Sequence, residues 1–414
     1  MTKQLYQHSA IVLGTEVNGL AVIRSLGRLG VRCGAVTATT RGDHAHHSRY
    51  LAHLELLDSA NSDVEIIDAM RRLARRLALG QPVVIPTTDR FSECLSRNRQ
   101  NLESEFLLCC PDLDLCDIFL DKWKTARICN EHDIRIPHTV CPTTTEDVSD
   151  IAQSLTFPVI VKPRYTFGTG FPGKNAVFSD IRSLEAFFAR AELLGRCVIQ
   201  QIIPSGDGDI IVVASYSGDA RLVKAIYSGR KIRQLLPDYG ATCFGLSELH
   251  PALESSSRHF LNSIKYRGFA ALEFARSRVD GKTYFIELNT RTYYHNQLFA
   301  DAGIDLTQVG YLDKIGYDVA SGDRQLRQRD GLFWLDFRRD FQSMRLKRKQ
   351  GRISIFEWVL SIIRARSFAY WNWSDPLPFL AACIWRLGDL SRNMLRRVRY
   401  ALEGWPRATD GGKR

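Results

Sequence analysis

An apolar run at Ser9–Leu13, a glycine at 14, a helical pattern over Leu20–Leu29, a stop at Gly30 and a second apolar run over Val31–Val36 commit the chain's start to a β-α-β unit. Strands joined by a helix lie parallel, so this opening excludes hairpin-built all-β architectures and requires an open α/β sheet. The alternation continues. A helix over Val64–Leu79 carries Arg71, Arg72, Arg75 and Arg76 on its wet side, a strand follows at Pro82–Pro86, and a short strand lies around Leu107–Cys110. Together they predict a Rossmann-like domain over residues 1–116. Thr87-Thr88-Asp89 falls at a strand's end, where open sheets place ligand groups, and the same residues can cap the helix Phe91–Arg99.

A dinucleotide site is excluded in this unit. After Gly14 the glycines fall at 19 and 27, without the G-x-G-x-x-G spacing, and the second strand ends in Val36-Thr37-Ala38 with no acid for a ribose. His44, His46, His47 and His53 read as residues of a polar, solvated loop rather than metal ligands, having no carboxylate or thiolate partner nearby. The ten cysteines contain no C-x-x-C pair and sit mostly in apolar surroundings, which predicts reduced, buried thiols in a cytoplasmic protein. The N-terminus carries no signal-peptide pattern. No charge-free run approaches the ~20 apolar residues of a spanning helix.

From residue 117 the pattern becomes α+β. A helix is expected over Asp117–His132 with a left-handed stop at Asp133, then a strand Pro158–Lys162, a Gly-rich loop Thr166–Gly173 and a helix Ser183–Leu194. Strands follow at Cys197–Ile203, Ile210–Ser215 and Ala220–Tyr227, and segments 268–275 and 283–288 form a hairpin around Asp280-Gly281. Gly168–Asn175 nearly spells a phosphate-binding P-loop. However, Asn175 replaces the Mg²⁺-binding hydroxyl and a strand-like run, Ala176-Val177-Phe178, stands where a helix should begin. The P-loop is rejected, although a glycine loop containing Gly168 and Gly170 can still cover phosphates with backbone N–H groups.

The stronger signal is distributed. Lys122 opens a helix, Lys162 ends a strand, Glu273 lies in Ala270–Phe274, and Glu287, Asn289 and Arg291 lie in Phe285-Ile286-Glu287-Leu288-Asn289-Thr290-Arg291. In this order and spacing the residues resemble the ATP-grasp superfamily over residues 9–315, chiefly at Phe285–Arg291 and Phe157–Pro163. Tyr227–Thr242 and the C-terminal segment look most like the carboxylate–amine ligase branch. The resemblance implies a two-lobed ATP-grasp domain at 117–330, with a small lobe at about 117–200 and a large lobe at about 201–330. The fold class is thus α/β and α+β multidomain, with a basic, Trp-rich helical segment at 331–414.

It further implies ATP with Mg²⁺, or Mn²⁺ in its place. Lys122 and Lys162 would meet the α/β-phosphates, Gln200, Gln201 and Ile202 the adenine, and Asp209 the ribose. Glu273, Glu287 and Asn289 supply hard oxygens that suit Mg²⁺ and not zinc. Side chains 287 and 289 share a strand face. Glu273 joins them if residues 278 and 282 pair around a three-residue loop, Val279-Asp280-Gly281; a two-residue Asp-Gly turn would part the two carboxylates. Two directly opposed carboxylates destabilise a sheet unless a cation lies between them. Arg291 would stabilise phosphoryl oxygens and a tetrahedral intermediate, while Arg230 and Lys231, grouped with Arg233, would hold the γ-phosphate or an acidic substrate.

The implied reaction is ATP-dependent amide formation between a small-molecule carboxylate and an amine through an acylphosphate, releasing ADP and phosphate. The alternatives are carboxyl-phosphate formation or phosphoryl transfer within the same superfamily, or ATP binding without turnover at a membrane surface. Charge then separates the tail from the body. Residues 331–414 carry 17 Lys/Arg against 7 Asp/Glu and six of the seven tryptophans, whereas residues 1–330 carry 39 against 38. Apolar residues recur at helical spacing over Ile353–Ile363, and a further helix is expected over Leu377–Tyr400. This density of Trp and Arg suits either peripheral contact with the inner face of a membrane or a cap packed on the body, with Trp as core and Arg as rim. No nucleic-acid motif is present. Substrate identity and oligomeric state are not legible.

Overall fold

A computed structural model describes residues 7–39, 44–165, 171, 175–189, 191–236, 239–317 and 326–385. The opening unit forms as read: β1 (Ala10–Leu13) and β2 (Cys33–Thr37) run parallel, joined by the helix Val17–Arg28. With β3 (Leu51–Leu56), β4 (Val83–Pro86) and β5 (Leu107–Leu108) they make a parallel sheet in the order β3-β2-β1-β4-β5. β1, β2 and β4 are buried along their whole length, as strands covered on both faces must be. Gly19 lies where a Cβ would stand 2.2 Å from the Gly14 carbonyl oxygen, so close packing of the helix on this turn accounts for it.

The histidine-rich stretch is not simply a solvated loop. His53 sits on β3, and His44 is buried against the rings of Tyr370 and Trp385. Among the described residues no group of three or more His, Cys, Asp or Glu could hold a metal ion. All ten cysteines are free thiols, eight of them buried.

The helix expected over Asp117–His132 is two helices, Leu113–Leu120 and Lys122–Glu131. Extended backbone at Asp121 ends the first, and its carboxylate caps the second by accepting from the Trp123 and Lys124 amides. Asp133 adopts the left-handed stop, with φ 55°. A small antiparallel sheet follows in the order β6-β9-β7-β8, built from β6 (Thr139–Val140), β7 (Val159–Pro163), β8 (Ala176–Phe178) and β9 (Cys197–Gln201). The helices Thr145–Ser154 and Ile181–Phe188 close its core with Val148, Leu184 and Phe188.

The largest sheet comprises β10 (Ile210–Ser217), β11 (Val223–Leu236), β12 (Tyr239–Ser247), β13 (Gly268–Arg276), β14 (Thr283–Asn289), β15 (Phe333–Leu335) and β16 (Ala365–Phe368). Their order is β14-β13-β10-β11-β12-β15-β16, antiparallel except for β15 with β16. β11 runs fourteen residues, well beyond the expected end at Tyr227. Its second half is polar but buried, because Lys231 and Arg233 meet carboxylates inside the fold.

The C-terminal segment corrects the expectation of an all-helical tail. β15 and β16 extend the sheet, with Trp334 fully buried, and the helices Phe337–Lys349 and Ile355–Ile362 flank them. The helix expected over Leu377–Tyr400 lies outside the described residues beyond 385. One core spans the parallel sheet and the large sheet, running from Ala10, Val12 and Leu20 to Tyr216, Phe269 and Trp334. Among the described residues, no helix is long and apolar enough to cross a membrane.

Candidate active site

The hairpin β13–β14 sets the site, by a route the sequence does not suggest. Ser277 and Lys282 close a four-residue loop, Arg278–Gly281, and Arg276 pairs with Thr283, so residues 278 and 282 do not pair around a three-residue loop. Left uncorrected, that register would set Ile286 opposite Glu273. A bulge at Ile286 absorbs one residue and brings Glu287 opposite Glu273. It also reverses the strand's phase: Phe285 and Leu288 enter the core, while Glu287 and Asn289 share the other face.

That face meets a cleft open to solvent. Lys122, Lys162, Gln200, Glu287, Asn289 and Asp89 line it, drawn from the Lys122–Glu131 helix, β7, β9, β14 and the parallel domain. Asp121 fixes the first of these. Its carboxylate caps the helix that Lys122 begins and pairs with Arg164, and the Lys122 amide donates to the Arg164 carbonyl at 3.0 Å. Arg164 holds the Asp121 carboxyl below its usual range, overcoming burial, which acts the other way. Lys162 Nζ donates to Gln200 Oε1 at 2.8 Å, and Gln200 Nε2 donates to Thr139 Oγ1 at 2.9 Å. The Gln200 carbonyl expected to meet adenine thus serves Lys162. Gln201 contributes backbone pairing to Val159 and His138, and neither it nor Ile202 lines the cleft.

Glu273 lies deeper. Lys231 Nζ is 2.5 Å from Glu273 Oε2, and the Tyr293 hydroxyl donates to Oε1. Burial raises the Glu273 carboxyl above its usual range, opposed by Lys231 and reinforced by the charge of Glu287. Arg291 Nη2 donates to Asn289 Oδ1 at 2.8 Å, and its Nε lies 3.0 Å from Asp89 Oδ1. The segment after β14 is laced to the parallel domain. Ser92 Oγ donates to the Thr290 carbonyl at 2.7 Å, and Asn18 Nδ2 reaches the carbonyls of Thr87 at 2.7 Å and Thr292 at 3.2 Å.

Several expected residues do not join this set. Arg230 and Lys231 are neighbours on a strand and face opposite ways, so Arg230 pairs with Glu248 at 2.7 Å while Lys231 enters the site. Arg233 is held by Asp340 through two 2.8 Å contacts. Asp209 accepts from the Gly206 amide at 3.0 Å and pairs with Arg278, bracing the hairpin loop, and it does not line the cleft. Gly168 and Gly170 lie outside the described residues.

Sequence reasoning left Thr139 and Tyr293 out of the site and gave Asp89 no role in it. Tyr293 had a signal, since it continues the two-residue spacing of 287, 289 and 291. Asp89 had one too, at the end of β4. Thr88 caps its helix by accepting from the Phe91 amide, so capping and ligand-facing readings hold together. The donor set fits a hard divalent cation: Glu287 and Asn289 offer oxygens on one face, with the Glu273 carboxylate opposite Glu287 in register. Asn289 Oδ1 keeps a second lone pair beyond the one Arg291 uses.

No family model matches the chain. It is 23% identical over 329 residues to D-aspartate ligase of Enterococcus faecium (strain Aus0004), covering 74% of this chain and 76% of the relative. Its fold matches the biotin carboxylase domain of 2-oxoglutarate carboxylase from Hydrogenobacter thermophilus, solved with MgADP, ADP and bicarbonate. There the TM-score is 0.61 at 16% identity, over 79% of this chain and 74% of the other. The sequence likeness to a ligase and the fold shared with this carboxylase domain agree with the resemblance read from Lys122, Lys162, Glu287 and Asn289. The fold also matches the ADP complex of N5-carboxyaminoimidazole synthetase from Staphylococcus aureus, with a TM-score of 0.59 at 11% identity, covering 76% and 78% of the two chains.

Proposed function

We propose that this protein is an ATP-grasp enzyme, an ATP- and Mg²⁺-dependent carboxylate–amine ligase that forms an amide through an acylphosphate and releases ADP and phosphate. The observation that carries the reading is the convergence of Lys122, Lys162, Glu287 and Asn289 on one cleft, with Arg291 bonded to Asn289 at its inner end. A triphosphate demands several cations from separate directions, and these elements supply them. Lys122 and Lys162 hold the phosphates, and Gln200 orients Lys162. Glu287 and Asn289, with Glu273 behind them, would hold Mg²⁺, whose charge would offset that of the triphosphate.

A carboxylate oxygen is a poor leaving group. Phosphorylation of the acid by the γ-phosphoryl group makes an acylphosphate, an amine attacks its carbonyl carbon, and phosphate departs with the C–O bonding pair. The proton lost by the amine passes to solvent or phosphate. Positioning and charge stabilisation perform this chemistry, and no protein nucleophile is needed. Arg291 stabilises the tetrahedral intermediate, and Lys231, held by Glu273, faces the acid. The relative's name makes an acidic amino acid the first candidate for one substrate. ADP release that requires both an acid and an amine, and is lost in Glu287→Gln with the fold intact, is the expected result. Release with the acid alone would favour carboxyl-phosphate formation, and undiminished turnover in the variant would remove the assignment.

A further inference from the structure

The C-terminal segment uses its tryptophans in two different ways. Trp334 is fully buried on β15. Trp358 is 6% exposed, packs on the rings of Phe337 and Phe341, and donates from Nε1 to Asp340 Oδ2 at 2.7 Å. Asp340 is also the partner of Arg233, so Trp358 locks the Ile355–Ile362 helix onto the sheet through one buried residue. The rest of that helix faces outward and is apolar. Phe356 is 70% exposed and Ile363, just past its end, 60%, with Ile355, Val359 and Leu360 also exposed; Phe337, in ring contact with Trp358, adjoins them.

This apolar strip is framed by one sign of charge. Arg345, Arg348, Lys349, Arg352, Arg364 and Arg366 are exposed on the flanking segments. The single exposed acid of the helix, Glu357, is spent in a capping box with Ser354. A two-fold contact with a second copy would set these cations against themselves, because such an interface apposes the same patch on both partners. The body offers no compensating excess of acid, with 39 Lys/Arg against 38 Asp/Glu in residues 1–330. An anionic lipid surface answers both features, taking apolar side chains among its acyl chains and cations at its headgroups.

We propose that the face formed by Phe337 and the Ile355–Ile363 segment docks the protein on an anionic membrane surface, lying in the interface without spanning it. The full-length protein is sedimented with vesicles of phosphatidylcholine alone and with added phosphatidylglycerol, at low and high salt. Binding is expected only with phosphatidylglycerol, and is reversed by salt. Phe356→Asp with Leu360→Asp, both at exposed positions, is expected to abolish binding while leaving melting and nucleotide binding unchanged. Arg345→Gln, Arg348→Gln and Lys349→Gln together are expected to weaken it at least about tenfold. Absence of binding at low salt, equal binding to phosphatidylcholine, or wild-type binding by the Asp variant overturns the proposal. A dimer that the Asp variant dissociates, without vesicle binding, overturns it in favour of a second copy.

Discussion

Asp89, opening the helix after β4, and Arg291, two residues past β14, meet at 3.0 Å, an ion pair that positions the guanidinium beside Asn289. Asp89→Asn keeps the shape and removes the charge. Taking the charge from a close partner of a largely buried guanidinium leaves that cation uncompensated, so turnover is expected to fall at least about tenfold. ATP affinity is expected to stay within about twofold because Lys122 and Lys162, which hold the phosphates in this reading, make no ion pair with Asp89 among the described residues; steady-state kinetics beside equilibrium nucleotide binding check the split. His295 is a second buried case. Burial, with help from Lys231, lowers its pKa to about 3, and neither ring nitrogen has a hydrogen-bond partner among the described residues. In the unfolded chain it protonates near pH 6.5, so the folded state loses stability as pH falls from about 6.5 toward 3. Urea melts at stepped pH are expected to show that loss reduced in His295→Phe, which fits the ring contacts with Tyr293, Phe299 and Trp334.

At the scale of elements, the β13–β14 hairpin shows how register decides chemistry. The period-two placement of Glu287 and Asn289 is readable because side chains alternate on any strand. The loop is not, since Asp280-Gly281 fits turns of several lengths, and the pairing of Glu273 with Glu287 rests on a bulge at Ile286 that carries no sequence signal. The loop's left-handed residue is Gly281, at φ 68° with nothing within 4 Å of where a Cβ would lie. Gly281→Ala is therefore expected to cost only backbone strain, about 1 kcal/mol by chemical denaturation, with nucleotide binding intact. Arg230, Lys231 and Arg233 teach the same lesson in reverse. Adjacent in sequence, they are sent to Glu248, Glu273 and Asp340 by alternation and a register shift.

Across the whole molecule, the first helix is tied to the segment that follows β16. Arg24 on the first helix is fully buried and pairs with Asp375 at 2.9 Å, while Ser48 and the Arg49 amide bind the same carboxylate. Burial pulls the Arg24 pKa below its usual value despite Asp375. Asp375→Ala would strand that cation, at a cost of about 3–5 kcal/mol, and is expected to lower the melting transition by several degrees. A calorimetric scan that matches wild type would show the two segments to be independent.

Local rules alone determined the parallel opening domain, the residue types of the candidate cleft and the division between a neutral body and a basic, Trp-rich end. Hydrophobic periodicity and charge are properties of short stretches. Only the tertiary structure decided which basic side chains enter the site, how Glu273 comes opposite Glu287, and that β15 and β16 finish the large sheet. It also parted the tryptophans, with Trp334 and Trp358 in the core and Trp373 86% exposed. Those outcomes depend on partners far away in sequence, whose pairing energy overrides the local preference of the segments they join.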